Sequence, residues 1–136
     1  MSTNLRIDGA RLTSRLAELS KIGATPEGGC RRLALTDEDR QGRDWLVGQM
    51  KALGLDTRVD ASGNIVGIHK GQEDGPAVIM GSHIDTVGTG GRFDGALGGI
   101  GGVEVLARWR IAAVGTVGVV VGLVFGYLVS RLGVRA

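Results

Sequence analysis

Residues 77–95 read AVIMGSHIDTVGTGGRFDG, and this stretch decides what kind of fold the chain can make. Four apolar residues (Ala77, Val78, Ile79, Met80) precede fifteen that hold one histidine, two aspartates and five glycines. A short apolar run reads as a buried strand. The polar cluster then starts at or near the C-terminal end of that strand, where ligand sites lie in open α/β sheets. His83 and Asp85 are two apart, so an extended chain points both to the same side. Asp94 follows a glycine-rich loop able to fold back and bring a third ligand to the same point. A neutral imidazole with carboxylates is a donor set for zinc, manganese or a similar divalent ion.

Upstream, helical and strand signals alternate. Leu5, Ile7, Leu12, Leu16 and Leu19 recur at near-helical spacing and predict a helix over about residues 8–21, ended by Gly23 and Pro26. Residues 23–32 read as a surface loop. Thr36 is a good N-cap, and Asp37, Glu38 and Asp39 load the next first turn with the negative charge that a helix dipole favours. That second helix carries Trp45 and Met50 as core residues and stops at Gly54. Residues 55–60 alternate like a strand, 61–63 form a turn, 64–70 read as the next strand, and 71–76 turn again. His69, in mid-strand, reads as a solvated or structural histidine. Cys30 is the only cysteine, which rules out an internal disulfide; it reads as an ordinary thiol in a loop.

Downstream, residues 96–107 (ALGGIGGVEVLA) read as a helix in which four glycines make sense if it packs closely behind the loop. The next segment changes character. Residues 111–129 are 19 consecutive uncharged residues, flanked by Arg108, Arg110, Arg131 and Arg135. As a helix they would extend about 28 Å, the thickness of a bilayer core. Gly118, Gly122 and Gly126 would then form a small face for helix–helix pairing. The reading is a membrane span; a buried strand or core helix is the competing one, supported by seven valines in the run.

All 14 acidic residues precede this tail, the last being Glu104, so the formal net charge of +2 belongs to the tail. No basic stripe with interleaved aromatics occurs, which argues against a nucleic-acid partner. Charged residues interrupt the first twenty positions, so no secretory signal is read there, and the large N-terminal part is expected to be cytoplasmic.

Three linked segments, RVDASGNIVG (58–67), GSHIDTV (81–87) and GGRFDGALGGIGGVEVL (90–106), resemble the dinuclear-metal amidohydrolases of the aminoacylase/carboxypeptidase superfamily. Within it they are most similar to the branch of N-carbamoyl-L-amino-acid hydrolases and allantoate amidohydrolases. TDEDRQGRDWLVGQMKALGL (36–55) is similar to the same branch, and the resemblance covers about residues 5–107. It implies that His83 binds one metal ion, that Asp85 orients His83, and that Asp94 bridges two ions, zinc or manganese. It further implies that a metal-bound hydroxide attacks a carbamoyl or ureido carbonyl of a small substrate. The family's site continues with a Glu-Glu pair and later histidines. This chain has no Glu-Glu pair, and no histidine follows His83.

The fold class expected is therefore α/β: an incomplete half of a three-layer metallo-amidohydrolase catalytic domain over 1–107, then a hydrophobic tail over 108–136 with a membrane span at 111–129. The functional expectation is an amidohydrolase fragment, inactive by itself and binding metal weakly or not at all. A membrane-anchored, non-catalytic binding or assembly protein is the alternative, and homo-oligomerisation or a second chain supplying the missing ligands is a further expectation.

Overall fold

The computed structural model describes residues 6–72, 74–109 and 117–122. Its elements in chain order are α1 (Gly9–Lys21), α2 (Asp37–Ala52), β1 (Asp56–Val59), β2 (Ile65–His69), β3 (Val78–His83), α3 (Ala96–Trp109) and β4 (Val117–Gly122). Local chemistry explains the helix ends. Asp8 caps α1 by accepting from the Arg11 N–H, and Thr36 caps α2 by accepting from the Asp39 N–H. Gly54, with φ +71°, provides the left-handed turn that stops α2.

The four strands lie in the order β1-β2-β4-β3. β1 and β2 form an antiparallel hairpin, and β2 pairs antiparallel with β4. β3 and β4 run parallel, joined by α3 as the long crossover that parallel pairing demands. Residues in register share a face, so Gly67, Val119 and Met80 point one way. On that face a Cβ at Gly67 would meet Met50 of α2, and Val119 abuts Gly102 of α3. Both helices therefore cover the same side of the sheet. The core lies between: Leu46 and Met50 from α2, Ile65, Val119 and Val121 from the sheet, and Ile100, Val103 and Leu106 from α3.

Three of the four glycines of α3, Gly98, Gly99 and Gly102, serve close packing, against the sheet rather than the loop; a Cβ at Gly101 would meet nothing. A Cβ at Gly98 would lie 2.8 Å from the Ser82 Cβ, and one at Gly102 would lie 2.9 Å from a Val119 methyl. α1 is fastened to α3 by charge. Glu104, wholly buried, accepts from Arg11 Nη2 and Arg15 Nη1, both at 2.6 Å, and from Arg11 Nε at 3.1 Å.

Two expectations need correction. The run opening the decisive stretch is not a buried strand: β3 lies at the edge of the sheet, and Val78 and Ile79 are 61% and 62% exposed. The proposed span at 111–129 is also not a helix where it is described. Val117–Gly122 is β4, the strand between β2 and β3, with Val119 and Val121 fully buried. Gly118 and Gly122 are consequently strand residues, not a helix-pairing face, and Gly126 lies outside the described residues. The valine-rich composition decided the conformation: β-branched side chains suit a pleated, buried surface. Among the described residues no helix is long and apolar enough to cross a membrane; residues 111–116 and 123–129 lie outside them.

Candidate functional site

β3 runs three residues further than its apolar start suggests and ends on His83 itself. His83 is thus held by the ladder to β4, opposite Gly122, rather than by a loose loop. Its Nδ1 lies 3.0 Å from the Asp85 carbonyl oxygen and 3.5 Å from Asp85 Oδ1. A carbonyl only accepts, so this bond places the proton on Nδ1 and leaves Nε2 as the lone-pair nitrogen. Asp85 is 2% exposed and Thr86 is also buried, so the segment that orients the imidazole is itself fixed.

The far end of the loop returns to the same ring. Gly95 has φ +65°, and a Cβ built there would sit 2.2–2.5 Å from the His83 ring atoms Cε1, Nδ1 and Nε2. Only glycine lets the backbone lie against the imidazole, and this contact brings the neighbouring Asp94 to the His83 end of β3. Asp94 itself is exposed, and its carbonyl accepts from the Ala96 N–H as α3 begins. The structure therefore couples His83 to Asp85 directly and to Asp94 through its glycine neighbour.

That arrangement falls short of a closed metal centre. Among the described residues no three His, Cys, Asp or Glu side chains converge as one ion would require. A dinuclear site needs more donors than His83 and Asp94 provide, so no metal-borne step of hydrolysis can be assigned to these residues alone. His69 stands apart at the end of β2, its Nδ1 buried and without a hydrogen-bond partner. A hollow of about 670 Å³ opens beside Gly88–Gly90 against the 23–31 loop, with Arg31, Glu27 and Glu38 on its walls; His83, Asp85 and Asp94 do not line it.

Around the orienting segment lies a buried polar layer that composition did not reveal. Arg32 is 1% exposed. Its Nε donates to the Ile84 carbonyl at 2.9 Å, and its Nη1 donates to Leu19 at 3.1 Å and Ile22 at 2.7 Å. Cys30 is no surface thiol: it is buried, hydrogen-bonds the Ile22 carbonyl, and bridges its backbone to Gly90. Asp39, 2% exposed, accepts from the Leu35 N–H through Oδ2, while its Oδ1 has no hydrogen-bond partner. Burial pushes the Asp39 carboxyl up; the Leu35 N–H and the Arg43 and Arg32 charges oppose this, and the charge of Asp85 adds to it. An arginine within a loop and an aspartate in a helix first turn are ordinary surface signals, so no sequence cue marks them as interior.

The structure thus places a strand-end histidine, a buried aspartate and a glycine-flanked acidic corner at one end of an α/β sheet. No family model matches the chain. An N-carbamoyl-L-amino acid amidohydrolase of Geobacillus stearothermophilus is 45% identical over 101 residues, 74% of this chain and 25% of that protein. A ureidoglycolate hydrolase of Arabidopsis thaliana is 36% identical over 107 residues, 78% of this chain and 22% of that protein. Among solved structures, a hydantoinase/carbamoylase family amidase from Burkholderia ambifaria superposes with a TM-score of 0.82 at 44% identity, covering 86% of this chain and 30% of that one. The chain belongs to the hydantoinase/carbamoylase family of amidohydrolases, and it spans about a quarter of the length of the curated relatives it matches.

Proposed function

We propose that this chain carries the first part of a metal-dependent amidohydrolase site acting on the carbamoyl or ureido C–N bond of a small substrate. In this reading His83 offers Nε2 as one metal ligand, Asp94 offers a carboxylate, and Asp85 orients the imidazole. The observation that carries it is the paired geometry at His83: Nδ1 engaged by Asp85 on one side, the Gly95 backbone against the ring on the other. A ligating imidazole needs its second nitrogen held in this way. The activities for which the relatives are named, on N-carbamoyl-L-amino acids and ureidoglycolate, support this substrate class.

Because the described residues supply too few donors, the chain by itself is proposed to be inactive, the remaining ligands coming from elsewhere. Purified chain incubated with zinc or manganese and an N-carbamoyl amino acid or allantoate is expected to release no ammonia above a protein-free blank. Robust turnover that disappears in His83→Ala would overturn the claim of inactivity while supporting the site. Zinc is expected to raise the melting temperature slightly, and His83→Ala to abolish that shift; an equal shift in the variant would remove His83 from the ligand set.

A further inference from the structure

We infer that Arg32 is the positioning residue of the half-site: it holds the Ile84–Asp85–Thr86 segment, and through it the orientation of His83. This rests on the functional reading above. The contacts come from both side chain and backbone. The guanidinium Nε donates to the carbonyl of Ile84, the residue between His83 and Asp85. The Arg32 N–H donates to Thr86 Oγ1 at 2.7 Å, and the Thr86 N–H donates back to the Arg32 carbonyl at 2.8 Å. The same guanidinium reaches the Leu19 and Ile22 carbonyls, where α1 ends, and the Cys30 sulfur at 3.2 Å. Arg32 thus ties the helix α1 terminus, the 30–32 segment and the chain leaving β3 into one rigid corner.

A guanidinium suits this task because its planar fork presents several donors at once, which the single ammonium of lysine cannot reproduce. Asp39, itself buried, is near enough to feel the charges of both Arg32 and Asp85. The space is also committed to this side chain. A Cβ at Gly42 of α2 would come within 2.7 Å of Arg32 Cδ, so the helix narrows at that point to admit it.

Amide hydrogen exchange of the full chain, followed by mass spectrometry, tests the assignment without metal or substrate. In Arg32→Met, exchange of amides in residues 84–90 is expected to quicken about tenfold or more, while those of Ile65–His69 in β2 change less than about threefold. Arg32→Lys is expected not to restore protection. Unchanged protection at 84–90, or a uniform increase across β2 and 84–90, overturns the assignment. Should Arg32→Met fail to fold, Thr86→Val removes the hydroxyl that accepts from the Arg32 N–H and is expected to produce the same local loss. Failure of both variants to fold marks a global role and overturns it as well. A chain showing the local effect yet no zinc-dependent shift would refute the metal site and leave the role of Arg32 standing.

Discussion

Two buried carboxylates, Glu104 and Asp39, behave in opposite ways because their surroundings differ. Glu104 is satisfied by three charge-assisted hydrogen bonds from Arg11 and Arg15. Replacing it with glutamine keeps the volume but leaves one acceptor oxygen and turns an NH2 toward a guanidinium, so at least one of the three bonds is lost; the loss is predicted at about 1.5–3 kcal/mol in urea unfolding. Asp39 has one oxygen without a partner, and its raised pKa means that folding favours the protonated form. The cost of ionised Asp39 is absent below the unfolded-state pKa and grows until pH passes the elevated folded value. Asp39→Asn is therefore predicted to gain stability relative to the native chain as pH rises through that window. A stability difference between the two that stays flat across it would contradict the assignment. That His83 and Asp85 lie together was legible in the sequence from their spacing; the burial of Arg32 and Asp39 was not, because burial depends on what folds over them.

At the level of elements, helix boundaries were readable from caps and glycines, and the β1–β2 hairpin from its alternation. β4 was not readable. Its valines and uncharged flanks satisfy a bilayer and a central strand equally well, and hydropathy cannot tell a lipid neighbour from a protein one. What decides is the partner: β4 is framed by β2 and β3, and Val119 sits under Gly102 of α3. Val119→Lys is thus predicted to cost more than about 4 kcal/mol, enough to unfold the chain, by burying an unpaired charge. Circular dichroism of the purified variant checks this. Native-like melting of the variant would mean that β4 does not occupy the middle of the sheet.

Among the described residues, the helices cover only one face of the sheet. Val66, Ile68 and Val120 are partly exposed on the other, next to the exposed Ile79 at the β3 edge. An apolar face continuous with a free strand edge invites association. Light scattering is predicted to show concentration-dependent self-association, reduced by Ile79→Lys with little change in melting temperature. Monodisperse native chain at high concentration would contradict this. The sequence reading placed β3 in the interior. Edge and centre are assigned by strand order, which no local pattern encodes.

The strand order also sets a timetable. Synthesis delivers β1, β2 and β3 before β4, yet β4 is the strand that joins the hairpin to β3. At about 5–20 residues per second, an emerging chain holds the hairpin and the histidine-bearing strand as two unconnected pieces for several seconds. The strand that carries His83 therefore gains its neighbour in the ladder only once Gly122 has left the ribosome.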